Sequence, residues 1–142
     1  MVVRAPYRVF ISHASVDLWV AKQIDAQVRA NGAASFLDTE DIASGDDFEE
    51  KIIDAAEDCD ELVVLLTPTA LQRTYVWLEI GMFLSLRKRI VTVVYGLEPA
   101  ALTSDSRYPL VVKRLQRVDI NDIESYFREL SERAKSSESD DG

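Results

Sequence analysis

Short apolar stretches alternate along this chain with segments whose apolar residues recur every three or four positions, and that alternation leaves few folds open. Leu62-Val63-Val64-Leu65-Leu66 is apolar without interruption, as a strand buried on both faces must be. Residues 90–95 read the same way and are closed by Gly96. Residues 7–12 alternate but are apolar on both sides, residues 34–37 make a short strand, and residues 115–118 make a weak edge strand. Between them lie helical patterns. Val20, Ile24 and Val28 mark a helix over 16–30 that ends at Asn31-Gly32. Phe48, Ile52, Ala55 and Ala56 mark a second, with Asp46 and Glu49 spaced as a capping box. A third follows Pro68 and carries Tyr75. Asp119 caps a last one, with Ile120, Ile123, Phe127 and Leu130 along one side. Pro99 and residues 103–109 read as a loop.

Strands that alternate with helices form a parallel sheet through right-handed crossovers. Five strands in a chain of 142 residues suit an α/β, flavodoxin-like sheet of order 2-1-3-4-5 with helices on both faces. The expected organisation is one domain over residues 1–134 and an acidic disordered tail over 135–142, which has no apolar residue. The net charge of −9 argues against a nucleic-acid or anionic-membrane partner. Cys59 is the only cysteine, so an internal disulfide or a thiolate metal site is excluded and a small buried role is expected. No apolar run approaches the roughly 20 residues that span a bilayer. No charged and then hydrophobic leader opens the sequence. A cytoplasmic location is the resulting expectation.

Within the third helix one residue is out of place. At helical spacing Tyr75, Leu78, Glu79, Met82, Phe83 and Leu86 form a stripe, with Glu79 near its middle. A buried carboxylate is costly unless paired, hydrogen-bonded or protonated, and such groups often mark working sites. Pairing with a buried arginine or a backbone amide would be the structural explanation. The topology favours function. In a 2-1-3-4-5 sheet the order reverses between strands one and three, and ligands bind beyond the strand carboxyl ends there. The loop after strand one, Ser12-His13-Ala14-Ser15-Val16-Asp17, and the segment from Thr67 to the Glu79 helix converge on that crevice.

Several familiar sites are excluded. The five glycines stand at 32, 45, 81, 96 and 142, so there is neither a GxGxxG fingerprint nor a phosphate-binding P-loop. His13 is the only histidine and lies far from Cys59 in the inferred fold, which makes zinc improbable. Ser12 and His13 are adjacent on a strand end and point to opposite faces, poor geometry for a nucleophile and its base. A phosphorelay receiver needs acidic residues where this chain has Ser12-His13 and Leu66-Thr67. The loop of residues 36–46 is long and acidic and reads first as a solvated connection, with Gly45 supplying a turn that lets it swing. Trp19 and Trp77 read as packing residues. Tyr75 lies one turn before Glu79 on the same face.

Three segments, in order and on the expected elements, resemble a known family. Val9-Phe10-Ile11-Ser12-His13-Ala14-Ser15-Val16-Asp17 resembles the first box of TIR (Toll/interleukin-1 receptor) domains of bacterial type. Phe36-Leu37-Asp38 with Ile42-Ala43-Ser44-Gly45 resembles the second box and its loop. Tyr75-Val76-Trp77-Leu78-Glu79 resembles the third-helix motif, an aromatic four positions before a glutamate. The likeness runs from about Tyr7 to about Leu130.

The resemblance implies cleavage of the nicotinamide–ribose bond of NAD+, a substrate rather than a cofactor, with no metal. The product would be ADP-ribose or a cyclic isomer, and the setting antiphage defence or signalling with a second defence or sensor protein. It implies that Glu79 is catalytic and that Phe10, Ser12, His13, Phe36, Asp38 and Tyr75 bind substrate, Tyr75 and Phe36 by stacking. Many members carry Trp where this chain has Tyr75. The chemistry asks for little else: nicotinamide leaves neutral, and one partly desolvated carboxylate can face the developing oxocarbenium ion. Self-association is also implied, with the loop of residues 38–47 taking part. Other TIR domains are interaction modules only, and a deoxyribosyltransferase-like enzyme is a third reading.

Overall fold

The computed structural model describes residues 6–37, 45–98 and 115–139. Their strands are β1 (Arg8–Ser12), β2 (Ala34–Leu37), β3 (Glu61–Leu66), β4 (Arg89–Val94) and β5 (Gln116–Asp119). All neighbouring pairs are parallel and the order is β2-β1-β3-β4-β5, as the alternation requires. The helices are α1 (Leu18–Ala30), α2 (Gly45–Asp58), α3 (Thr74–Ser85) and α4 (Ile123–Ser139).

β3 is buried at all six positions because it is the central strand with helices over both faces. Its side chains divide by parity. Leu62, Val64 and Leu66 join Phe10, Ala55, Ala56, Val76, Ile80 and Phe83 in the core under α2 and α3. Val63 and Leu65 join Val9, Ile11, Ile24, Val28, Tyr126 and Leu130 in the core under α1 and α4. By the same alternation Ser12, two residues beyond Phe10, faces α3.

Some local expectations change. Residues 15–17 form a 3₁₀ turn, so α1 begins at Leu18 rather than at Val16. Gly32 then takes φ +92°, the left-handed conformation that ends the helix region. α2 starts at Gly45, one residue before the expected cap at Asp46. A glycine at the first helical position is not a loop hinge, and proline is well tolerated there. α4 continues to Ser139, five residues into the segment expected to be a tail. Neither Gly nor Pro interrupts residues 123–139, and Lys135 lies 3.9 Å from Glu132 one turn back. Trp19 is not a packing residue: it is 71% exposed. Trp77 is one, held by its indole Nε1–H on the Leu71 carbonyl at 2.9 Å. Cys59 is buried as expected, and burial pushes its thiol up to about 12.

A device outside the sequence reading locks α2 to α3. After α3, Lys88 N–H reaches Phe83 O and Arg87 N–H reaches Leu84 O, with Arg87 at φ 56°. This is a Schellman ending with arginine where glycine is usual. It delivers Lys88, whose Nζ donates to the carbonyls of Ala56, Glu57 and Cys59 at 2.6, 2.8 and 2.7 Å, at the end of α2. Lys88→Met leaves those carbonyls without their cation and should cost about 1–3 kcal/mol in urea unfolding. A loss below a few tenths would show that water replaces the ammonium without penalty.

Candidate functional site

α3 presents Val76, Glu79, Ile80 and Phe83 to the core, while Leu78 is 52% exposed. The inward stripe is therefore rotated from the expected one. Glu79 belongs to either phase, and its own exposure is 1%. It faces the carboxyl end of β1, where Ser12 Oγ donates to Glu79 Oε1 at 3.2 Å. The glutamate of α3 and the hydroxyl of β1 meet at the β1/β3 switch point.

One turn earlier the half-buried Tyr75 donates from its phenol to the carbonyl of His13 at 2.9 Å. The hydroxyl that a tryptophan would lack is thus used to tie α3 to the β1 loop. His13 is buried, and its Nδ1 lies 2.8 Å from the Ala14 carbonyl. A carbonyl only accepts, so Nδ1 carries the proton in this contact. Phe10 is wholly buried, with its ring 5.0 Å from Phe36 and 5.5 Å, edge-on, from Phe83. Without exposed surface, Phe10 reaches a ligand only through Phe36, which it supports and which is 37% exposed at the end of β2. Asp38, with residues 39–44 of the loop, lies outside the described residues.

The β1 loop meets the β3–α3 segment at a third point. Thr67, just beyond β3, donates from Oγ1 to Asp17 Oδ2 at 2.6 Å and accepts from Ala70 N–H at 3.1 Å. Neither Asp17 nor Thr67 was a candidate from sequence. The only available signal was that Asp17 closes, and Thr67 opens, a segment expected at the switch point. Among the described residues no group of three His, Cys, Asp or Glu side chains is placed to hold a metal ion. Among them too, no helix is long and apolar enough to cross a membrane.

A buried carboxylate, a hydroxyl that orients it and an aromatic ring one turn away form a site that can stabilise a developing positive charge. A curated plant protein from Brachypodium distachyon, "Probable 2' cyclic ADP-D-ribose synthase BdTIR", is 32% identical over 98 residues. That match covers 68% of this chain and 44% of the relative, so the chain spans less than half of the relative's length. The TIR domain of a Toll-related receptor from Hydra magnipapillata superposes with a TM-score of 0.68 at 21% identity, covering 89% of this chain and 97% of that one. A 2-desoxiribosyltransferase from Leishmania mexicana shares the fold more loosely, with a TM-score of 0.55 at 18% identity over 73% of this chain and 75% of that one. The TIR domain family model matches residues 9–133, nearly all of the β-sheet and its helices, and the chain belongs to the TIR domain family.

Proposed function

We propose that this TIR domain cleaves the nicotinamide–ribose bond of NAD+ with Glu79 as its catalytic carboxylate. The observation that carries the reading is the buried Glu79 held by Ser12 at the switch point, one turn from the Tyr75 ring. The plant relative, whose name is that of a cyclic ADP-ribose synthase, supports the same chemistry.

The bond between ribose C1′ and the pyridinium nitrogen breaks, and its electron pair neutralises the ring nitrogen. No acid is needed for the leaving group. Glu79 offers negative charge to the oxocarbenium ion left behind. Tyr75 and the partly exposed Phe36 offer π-faces to the cationic nicotinamide. Capture by water gives ADP-ribose, and capture by a hydroxyl of the substrate gives a cyclic isomer. Chromatography of NAD+ incubated with concentrated protein, beside deoxynucleosides as rival substrates, distinguishes these outcomes. Nicotinamide release with deoxynucleosides untouched is expected. The reverse would support the deoxyribosyltransferase reading.

Glu79 is almost closed off in the single chain, so substrate reaches it only after a shift in what covers it. We place that shift in self-association, involving residues 38–47, which run into the start of α2. Turnover per protomer should rise with protein concentration across a wide dilution series. A flat profile with monomer throughout would mean that one chain holds the complete site. Because Gly45 opens α2, Gly45→Pro should leave this profile unchanged.

The biological setting we infer is antiphage defence or signalling, triggered through a second protein. Val16 and Trp19 favour the alternative of a non-catalytic interaction module, being 69% and 71% exposed. Inactivity of a sample shown by light scattering to be assembled would favour that module.

A further inference from the structure

We propose that Asp17 and Thr67 are positioning residues that set the Ser12–Glu79 contact, an inference that rests on Glu79 being the working carboxylate. Thr67 is buried and sits where three segments meet. Its hydroxyl donates to Asp17 at the entry to α1 and accepts from Ala70 N–H in the 3₁₀ turn Ala70–Gln72. Its carbonyl accepts from Leu71 N–H at 3.1 Å. Leu71 in turn accepts the indole N–H of Trp77, two residues before Glu79 on α3. A continuous path of hydrogen bonds thus runs from Asp17 through Thr67, the 3₁₀ turn and Trp77 to the helix that carries Glu79.

The same β1 loop touches α3 directly at Ser12–Glu79 and at His13–Tyr75. Loop and helix therefore close a ring, and Thr67–Asp17 is the link on its far side from Glu79. At 2.6 Å to a carboxylate it is also the shortest of the three bonds across the crevice. The Ser12–Glu79 bond, at 3.2 Å, is the longest and has the least geometric reserve. Opening the ring at Thr67–Asp17 lets the loop drift from α3, and a misplacement on the order of 1 Å costs about 100-fold in rate. Both groups act through others and neither need touch substrate.

Asp17→Ala and Thr67→Val should lower kcat about 10- to 100-fold with KM changed less than about 3-fold, the mark of a loss felt in the transition state. Thr67→Ser, which keeps the hydroxyl, and Asp17→Asn, which keeps an acceptor oxygen, should restore most of the rate. A lowered melting temperature with unchanged kcat would overturn the proposal, as would a raised KM at constant kcat. A second measurement does not depend on turnover. The carboxyl ¹³C resonance of Glu79 should move in Asp17→Ala, while that of Glu61, at the opposite end of β3, stays fixed. An unmoved Glu79 resonance contradicts the positioning role. Wild-type protein that releases no nicotinamide contradicts the NAD+ reading instead.

Discussion

Glu79→Gln should reduce nicotinamide release by at least about 1,000-fold while leaving the circular dichroism spectrum unchanged. The substitution removes the charge but keeps volume and an acceptor for Ser12, so the packing around α3 survives. Loss of a single preorganised group facing developing charge commonly costs 100- to 1,000-fold (about 2.7–4 kcal/mol). Glu79 is asked for more than that because it sets a full negative charge, not a neutral dipole, against the developing cation. Tyr75→Phe separates the two roles of that residue. It keeps the ring and loses the bond to His13, so a drop smaller than that of Tyr75→Ala is expected in turnover assays. Unchanged turnover in Glu79→Gln would remove Glu79 from the chemistry.

The second large effect concerns stability and lies at the other end of the sheet. Glu61 opens β3 wholly buried and accepts four hydrogen bonds. They come from Tyr7 Oη at 2.5 Å, Tyr126 Oη at 2.5 Å, Arg133 Nε at 2.8 Å and Arg133 Nη2 at 3.1 Å. Arg133 also lies 5.7 Å from the Tyr126 ring centre. Arg133→Met leaves Glu61 buried without its cation and should cost about 3–5 kcal/mol. Against a typical net stability of about 5–15 kcal/mol, the urea midpoint should fall steeply. The kcat of the folded fraction should not change, since this cluster is remote from Glu79. A cost under about 1 kcal/mol would mean that water replaces the arginine at Glu61 without penalty.

The same cluster predicts alkaline behaviour. Burial, reinforced by Glu61, raises the phenols of Tyr7 and Tyr126 well above the ordinary tyrosine value of 10.0. The folded protein keeps protons that the unfolded chain releases near pH 10. Their contribution is therefore complete below that pH and falls as pH rises beyond it. Replacing both tyrosines with phenylalanine should flatten the decline of unfolding free energy above pH 10.

The sheet was legible in the sequence because its evidence is repetitive. A central strand such as β3 must be apolar on both faces, and three such signals with two shorter ones, in alternation with helices, admit few orders. Glu79 was legible because it interrupts a stripe, and it stays inward whether the stripe is taken through Leu78 or through Val76 and Ile80. The choice between those phases was not readable, since α3 is apolar nearly all round. Trp19 misled because residue type alone does not place an aromatic, and its helix buries Ala21, Ile24 and Val28 instead. The polar pairings were hardest. Thr67 and Asp17 are 50 positions apart, and Tyr7 and Glu61 are 54 apart. No local spacing encodes such bonds. A partial signal existed for Glu61: Tyr126 and Arg133 stand seven residues apart on α4, on one face of that helix.

The central claim is that Glu79 faces the bond that breaks. The most direct measurement is a crystal structure of the assembled protein with the non-hydrolysable carba analogue of NAD+. The expected result is the nicotinamide ring stacked on Tyr75 and a Glu79 carboxylate oxygen about 3–3.5 Å from the nicotinamide-bearing ribose. An analogue bound away from α3, with Glu79 still closed against Ser12, would contradict it.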